Sequence, residues 1–366
     1  MSKTVFILTS EPPDGVGGAE HFIRELVKGL EERGYRAEVF HRGNSEPRWF
    51  ARRIGRLSKK LAGTLRGYWI SRNAQLRMSE DVRAVISNGD IGCYPLRRRT
   101  PLRKIHFYHG TYRGQAEVAR PFIKRSGHLY MKWWGSMVLE RLSGRNKLVL
   151  CNSDQTREEV QRFFGFDSIT TWLPIDTEQF SPGDATAGRI AFNLPREKRV
   201  GLFVGSAHPI KGFPVVQSLM NRLPEVHWVL ALRGGAPDAG GWTPNATVLR
   251  DVSHDDIPLL YRSADFSVCP SLYESFGYVV AEALACGTPV IATAGGASRA
   301  FLKDAPLGQL LIPEASSVDK FAAAVHKVLQ APEFYRQKVE ELARPRLIEL
   351  MSPESWWRRF AEVTGL

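Results

Sequence analysis

Residues 264–296 contain a buried strand, a glycine turn and a buried helix in immediate succession. The apolar run 264–270 fits a buried strand, and apolar residues within 279–284 fit a helix that packs on one side. Residues 275–277 between them read Ser-Phe-Gly, and a glycine and a proline precede the next strand at 290–293. The succession predicts an open α/β sheet, in which ligands bind at the carboxyl ends of the strands.

Two glutamates, Glu274 and Glu282, lie eight positions apart around this turn. A helix start attracts phosphate through its N–H groups and its dipole, and Gly277 lets a ligand approach the backbone closely. If the chain between them is helical, the two carboxylates lie about 12 Å apart, too far to share a proton. They would suit the two ends of a sugar nucleotide. The alternative is that both are solvated residues on a helix surface.

Two further segments carry polar groups at predicted strand ends. Residues 205–212 read GSAHPIKG after the strand 200–204, and a glycine-rich turn with Lys211 near the next helix start is typical of a diphosphate site. In the first half of the chain, His109 follows the strand-like residues 104–107.

Together these residues resemble the GT-B glycosyltransferases, and specifically the retaining glycosyltransferase family 4. The family pattern is Glu, Ser or Gly, Phe and Gly, then a second Glu eight residues after the first, then Ala-x-Ala/Cys-Gly-x-Pro-Val. Residues 274–290 follow this pattern almost position by position, and the resemblance extends over nearly the whole chain. It implies a GT-B fold of the α/β class, in which two doubly wound Rossmann-like domains face a central cleft.

The resemblance also implies roles for individual residues. Glu274 and the backbone of 276–278 would hold the hydroxyls of the donor sugar, and Glu282 the ribose diol. Lys211 would hold the diphosphate, and His109 would contact the donor sugar from the opposite domain. The predicted catalytic residues are His109 and Glu274, and the predicted donor-sugar and nucleotide residues are Gly17, Gly18, Ser206, Lys211, Arg233, Ser275, Phe276, Gly277, Tyr278, Val279 and Glu282.

One position departs from the family pattern. The family usually reads Gly-Arg-Leu-x-x-x-Lys-Gly where this chain has GSAHPIKG, so Ser206 replaces an arginine. His208 or Arg233 could supply the missing charge, and the sequence leaves both open. The chain has no Asp-x-Asp pair where a metal would be needed. We therefore expect no metal and no cofactor, with the nucleotide sugar as a substrate.

The length of 366 residues suits two domains. The turn-rich stretch 173–182 resembles the connection between the family's two domains. We therefore predict an acceptor-binding domain over 1–173 and a nucleotide-sugar-binding domain over 174–349. The terminal helix 350–366 should pack back on the first domain.

The formal charge of +12 and the pI near 9.7 indicate an acidic partner, such as a phosphorylated glycan, an anionic lipid or a nucleic acid. The four cysteines show no close pair and no metal-ligand spacing, which favours a reducing compartment. The sequence has no signal-peptide core and no apolar stretch that could span a bilayer. We expect a cytoplasmic protein, with peripheral contact to the inner face of the cytoplasmic membrane.

Residues 48–72 predict a basic amphipathic helix, with apolar residues at helical spacing on one face and arginines and lysines opposite. Such a helix can lie on an anionic membrane surface. Alternatively, its apolar face packs on the first domain and its charges are simply solvated. Trp133 and Trp134 are adjacent, so one is expected in the core and the other at a lipid or sugar surface.

The resemblance implies a retaining hexosyltransferase. It would move a sugar from a UDP-sugar to a hydroxyl of a glycan or of a lipid-linked, lipopolysaccharide-type acceptor. A GT-B nucleotide-sugar epimerase is one alternative, since it would use the same donor pocket and need no acceptor surface. A basic nucleic-acid-binding protein would explain the charge but leave residues 274–282 unexplained, so we expect no nucleic-acid partner.

Overall fold

A computed structural model of the chain describes residues 3–15, 17–47, 59–97, 101–234 and 245–366. Its contacts divide the chain into two compact units. The first unit contains Met1–Pro174 and Trp357–Leu366, and the second contains Ile175–Trp356.

The first unit is built on a parallel six-stranded sheet in the order β2-β1-β3-β4-β5-β6. The chain starts at β1, adds β2 on one side and then crosses to β3 on the other, as in doubly wound folds. Almost every side chain of β1 is buried, as expected for a strand covered on both faces. The strands are β1 (Lys3–Leu8), β2 (Tyr35–Phe40), β3 (Val82–Asn88), β4 (Arg103–Tyr108), β5 (Leu148–Cys151) and β6 (Ile169–Thr170).

Helices connect these strands, and the first of them illustrates how an apolar face packs inwards. Helix Gly18–Glu32 buries Phe22, Ile23, Leu26 and Leu30, which recur at helical spacing, and leaves its charged face outside. The other helices of this unit are Arg42–Ser45, Lys59–Leu76, Tyr112–Ala119, Arg125–Leu129, the π-helical Tyr130–Glu140, Arg141–Gly144 and Asp154–Phe164, with 3₁₀ turns at Ile91–Cys93 and Arg120–Phe122.

The second unit repeats this architecture, with a parallel sheet in the order β12-β11-β10-β7-β8-β9. Its strands are β7 (Val200–Gly205), β8 (His227–Leu232), β9 (Ala246–Arg250), β10 (Phe266–Cys269), β11 (Val290–Thr293) and β12 (Leu311–Ile312). Its helices are Ala185–Ala191, Phe213–Arg222, Ile257–Ser263, Tyr278–Ala285, Gly296–Phe301, Val318–Gln330, Pro332–Lys338, the π-helical Val339–Ala343 and Arg344–Met351, with 3₁₀ turns at Pro209–Lys211 and Leu307–Leu310.

Two parallel six-stranded sheets with connecting helices confirm the predicted α/β, Rossmann-like fold class. The strand, turn and helix predicted within 264–296 are β10, the Ser-Phe-Gly turn and the helix Tyr278–Ala285. Cys269 and Cys286 are buried, as their apolar surroundings predict.

The last helix, Pro353–Thr364, continues from the second unit into the first. The part that groups with the first unit begins at Trp357, whereas the predicted returning segment began at residue 350. Within the first unit, the ring of Trp357 fills the space above Gly29, where an added Cβ would lie 2.1 Å from it. The guanidinium of Arg33 lies 4.4 Å from the centre of the same ring.

The expectation for Trp133 and Trp134 is wrong, because neither belongs to the core. Their side chains are 56% and 46% exposed. They lie in the π-helical Tyr130–Glu140, where the next residues, Gly135 and Ser136, are buried instead. The bond pattern of a π-helix differs from that of an α-helix, so a facing direction argued from α-helical spacing does not apply.

Part of the predicted basic helix, residues 48–58, lies outside the described residues. From Lys59 the segment is helical to Leu76. Arg66, one of its predicted solvent-facing cations, forms an ion pair with Glu46 at 2.7 Å. Within the described part of the chain, no helix is long and apolar enough to cross a bilayer.

Candidate functional site

The second sheet has its switch point between β7 and β10, since from these neighbours the chain runs outwards to opposite edges. Ligands of doubly wound sheets bind outside the carboxyl ends of such a strand pair. The loops that leave these two strands are residues 206–212 and 270–277. Both segments that the sequence singled out therefore meet at the expected crevice of this unit.

The two loops contact each other closely. Gly212 has φ of 73°, and an added Cβ would lie 1.9 Å from the carbonyl oxygen of Pro270. The N–H of Leu272 donates to the carbonyl of Ile210 at 2.8 Å. A glycine is required at 212 both for the left-handed backbone and for the close approach.

Lys211 and Glu274 form an ion pair across this contact. Lys211 Nζ lies 2.8 Å from Glu274 Oε2, and the Ser271 hydroxyl donates to the same oxygen at 3.2 Å. The carboxylate of Glu274 raises the pKa of Lys211, which keeps the ammonium charged. The side chains of Lys211 and Glu274 are 40% and 18% exposed, so both remain accessible to a ligand.

The turn after Glu274 starts the helix Tyr278–Ala285. Gly277 precedes it with φ of 88°. The carbonyl of Phe276 accepts from Ala297 N–H at 2.6 Å, and an added Cβ at Gly296 would lie 2.2 Å from that carbonyl. The turn is thus fixed by the segment after β11, a contact that the sequence analysis missed. Ser275 and Val279 are half-buried on either side of the turn.

Glu282 lies within this helix and is 5% exposed, so the alternative of a solvated surface residue is wrong for it. The hydroxyl of the fully buried Tyr261 donates to Glu282 Oε2 at 3.1 Å. Burial raises the pKa of Glu282 to about 7, against the opposing charge of Arg233. The helix begins only at Tyr278, so the 12 Å spacing argued for a continuous helix does not hold.

Arg233 and Ser206 stand near these groups, at the ends of β8 and β7. The backbone N–H of Arg233 donates to the carbonyl oxygen of Gly205 at 3.0 Å, and the charge of Arg233 opposes the effect of burial, which raises the pKa of Glu282. His208 is exposed and uses Nδ1 to accept the Ile210 N–H at 3.2 Å. That His208 or Arg233 supplies the charge missing at Ser206 stays a prediction.

The first sheet has its switch point between β1 and β3. Gly17 directly precedes the helix that Gly18 begins after β1, and an added Cβ at Gly17 would lie 2.2 Å from a carboxylate oxygen of Glu20. His109 follows β4, so three of the predicted residues lie at the carboxyl edge of this sheet.

The environment of His109 makes it a neutral group. Its Nε2 lies 3.0 Å from the side-chain oxygen of Asn88, and its ring packs against Phe22 and Phe107. Burial lowers the pKa of His109 to about 4. Because the amide oxygen can only accept, Nε2 carries the proton and Nδ1 can accept a hydrogen bond.

A polar cavity of about 230 Å³, which we call the edge cavity, lies at the same sheet edge and was not predicted. Asp90 lines it, burial raises the pKa of its carboxyl, and the hydroxyl of Tyr112 donates to it at 3.3 Å. Asp90 follows β3 by two residues, which is the sequence signal that could have indicated it. The lining residues are Ser10, Gly63, Arg66, Asp90, Ile91, Tyr112 and Tyr130.

The described residues contain no group of three or more His, Cys, Asp or Glu side chains that could hold a metal ion. Lys211 pairs with Glu274, and the charge of Arg233 acts on Glu282. Of the predicted site residues, those from Ser206 to Glu282 belong to the second unit, and Gly17, Gly18 and His109 belong to the first.

Two family models match the chain. The model described as "Glycosyltransferase Family 4" matches residues 16–179, and the model described as "Glycosyl transferases group 1" matches residues 186–344. The first match lies mainly in the first unit and the second lies within the second unit.

Among curated proteins, the D-inositol 3-phosphate glycosyltransferase of Mycobacterium tuberculosis is 33% identical over 215 residues. The match covers 54% of this chain and 44% of the relative, so the chain matches under half the length of this relative.

Two solved structures extend the comparison to the whole chain. A sucrose-phosphate synthase from Thermosynechococcus elongatus has a TM-score of 0.80 at 18% identity, covering 99% of this chain and 98% of that one. HepE from Anabaena, in complex with UDP and glucose, has a TM-score of 0.72 at 16% identity, covering 99% of both chains. At these identities the likeness shows the fold.

Proposed function

Because the chain belongs to the group 1 glycosyltransferases of glycosyltransferase family 4, we propose that it transfers a sugar from a nucleoside diphosphate sugar to a hydroxyl acceptor with retention of configuration. The observation that carries the proposal is the Lys211–Glu274 pair at the switch point of the second sheet. It places a cation and a carboxylate within hydrogen-bond distance at the edge where ligands of such sheets bind.

Lys211 and Glu274 would contact different parts of the donor. When the bond between the sugar and the diphosphate breaks, negative charge accumulates on the leaving diphosphate. Lys211 and the N–H groups at the start of Tyr278–Ala285 would stabilise that charge, without a metal ion. Glu274 would orient the sugar through its hydroxyls, since its pairing with Lys211 suits hydrogen bonding better than nucleophilic attack.

The remaining predicted residues would hold the nucleotide and the reacting face. Glu282 lies about one helical turn after Tyr278 and would accept the ribose diol, while Tyr261 from the helix Ile257–Ser263 donates to it and the charge of Arg233 acts on it. His109, neutral and with Nδ1 able to accept, would bind a sugar hydroxyl from the first unit. These assignments follow from the family resemblance, and the burial and partners of each group agree with them.

We propose UDP as the nucleotide and a phosphorylated or lipid-linked glycan as the acceptor. HepE binds UDP, and the curated relative acts on an inositol phosphate according to its name. The formal charge of +12 also favours an anionic acceptor. The edge cavity supplies polar groups for acceptor hydroxyls in the first unit, a feature that an epimerase would not need.

Calorimetric titration with UDP, GDP and ADP tests the donor site. We expect wild type to bind UDP most tightly and Lys211→Ala to bind it at least about tenfold more weakly, since the mutant loses a charge-assisted bond to phosphate. Lys320→Ala is the matched control, because Lys320 forms a similar pair with Glu314 at 3.2 Å on the exposed surface of the same unit. Equal UDP affinities of Lys211→Ala and Lys320→Ala would show that Lys211 does not contact the diphosphate.

A further inference from the structure

The first unit contains a second cavity, which we call the inner cavity and which plays no part in the function proposed above. Its volume is about 150 Å³, far above the 10–15 Å³ or so that one water molecule needs. Its walls come from β1, β3 and β4, from the segment 92–96, which overlaps the Ile91–Cys93 turn, and from residues within 142–147. It shares no lining residue with the edge cavity.

Three cations line the inner cavity, namely Lys104, Arg145 and Lys147, and no carboxylate does. Among the described residues none of the three forms an ion pair. Like charges held together at an apolar wall are unfavourable unless an anion compensates them. Leu8, Val85 and Leu96 provide that wall.

Lys147 is one of the two partly buried cations of this cavity. Its ammonium donates to the carbonyl of Gly92 at 2.7 Å and to the hydroxyl of Ser87 at 3.3 Å, both neutral acceptors. An ammonium has three protons to donate, and the described residues provide no acceptor for the third. Burial lowers the pKa of Lys147 to about 8, and the charge of Lys104 acts in the same direction.

The surroundings hold Lys147 in this position. An added Cβ at Gly92 would lie 2.6 Å from both Lys147 Nζ and Ser87 Oγ, so the ammonium fits only above a glycine. The Ser87 hydroxyl lies 2.9 Å from Nδ1 of the fully buried His106, which fixes its orientation. The ammonium is therefore fixed in position before any ligand binds.

We propose that the inner cavity binds a small organic monocarboxylate. The carboxylate would accept from Lys147 and Lys104, with the exposed Arg145 at the entrance, and the carbon chain would lie against Leu8, Val85 and Leu96. A single charge with an apolar body suits these walls better than inorganic phosphate, whose dense charge loses more hydration on burial. The proposal stands independently of the glycosyltransferase activity.

Calorimetric titration with butyrate at about pH 8 tests the proposal in two buffers of different ionisation enthalpy. That pH is close to the lowered pKa of Lys147, and a bound carboxylate favours the charged form of its amine. We expect butyrate to bind with uptake of up to roughly half a proton, and butyramide, which is uncharged, not to bind. Butyramide that binds as tightly as butyrate would contradict a contact between the carboxylate and Lys147.

Variants locate the site. Lys147→Met should weaken butyrate binding at least about tenfold, and Gly92→Ala should weaken it too because the new Cβ displaces the ammonium. Lys124→Met, which removes an exposed lysine outside the cavity, should bind as wild type. An unchanged thermal unfolding curve in each variant reports correct folding of the mutated unit. Equal butyrate affinity in Lys147→Met and wild type, or binding of inorganic phosphate in preference to butyrate, would overturn the proposal.

Discussion

At the scale of single residues, Glu274 shares one of its oxygens between Lys211 and Ser271. This arrangement fixes the carboxylate while its side chain stays partly exposed. A group fixed in this way can stabilise a transition state without reorganising when the reaction occurs.

Replacing Glu274 by alanine should therefore lower kcat/KM, with a loss of transition-state stabilisation of about 2–4 kcal/mol. Steady-state kinetics with the preferred nucleotide sugar measures the effect. Glu314→Ala serves as the control, since Glu314 belongs to the comparable exposed pair with Lys320. Wild-type kinetics in Glu274→Ala would show that the carboxylate does not contact the reacting sugar.

Glu282 predicts a pH dependence of donor binding. Its pKa is about 7 in the folded protein instead of the usual 4.5, so the carboxyl loses its proton as the pH rises through neutrality. If the ionised form accepts the ribose diol, the affinity for a nucleotide sugar should rise between about pH 6 and about pH 8. Calorimetry across this range should give a curve that is flat for Glu282→Gln. Parallel curves for the two proteins would exclude Glu282 as the titrating group.

The same group affects stability in the opposite direction. Between the usual pKa of 4.5 and the folded value of about 7, the folded state binds the proton more tightly than the unfolded chain. The contribution of Glu282 to the free energy of unfolding is therefore largest at low pH and falls as the pH rises through 7.

At the scale of elements, the site depends on the close approach of two loops. Gly212 directly precedes the helix Phe213–Arg222 and lies against the backbone of Pro270, so the loop after β7 cannot move without the loop after β10. A side chain at this position would separate Lys211 from Glu274.

Gly212→Ala should lower both stability and UDP affinity, and Gly165→Ala is the matched control. Gly165 has φ of 72° and no atom within 4 Å of an added Cβ, so its substitution costs only backbone strain, about 1–2 kcal/mol. Gly212→Ala adds the overlap with Pro270, worth about 1–3 kcal/mol more. Thermal unfolding and UDP titration measure both effects, and equal behaviour of the two variants would mean that the loops can separate without consequence.

At the scale of the whole molecule, net charge and exposed aromatic residues point to a surface for anionic partners. The chain carries a formal charge of +12, and Trp133 and Trp134 are both exposed on one helix of the first unit, with Lys132 near the Trp133 ring. Tryptophan prefers the interface between lipid and water, and nearby cations attract anionic headgroups.

We expect the protein to sediment with anionic vesicles at low ionic strength. Sedimentation should decrease with salt, because the Debye length falls from about 30 Å at 0.01 M to about 8 Å at 0.15 M. A variant with serine at both 133 and 134 should bind less, whereas Phe334→Ser, which removes an exposed ring from the second unit, should bind as wild type. Absence of binding at low salt, or equal binding to neutral vesicles, would refute a role for the charge.

The sequence by itself determined the class of fold and the two loops that meet at the carboxyl edge of the second sheet. Runs of apolar residues predicted the strands, helical spacing predicted the buried faces of the helices, and the glycines at 212 and 277 predicted the turns. Each of these patterns is local in the sequence. The motif around Glu274 and Glu282 identified the family for the same reason, since its residues lie close together along the chain.

Only the tertiary structure decided which groups meet. The pairing of Lys211 with Glu274, the bond from Tyr261 to Glu282 and the exposure of both Trp133 and Trp134 depend on contacts and helix geometry that spacing does not encode. The two cavities of the first unit also combine residues from distant strands and turns. The pKa values of the groups that line these cavities are shifted by burial, which exists only once the chain has folded.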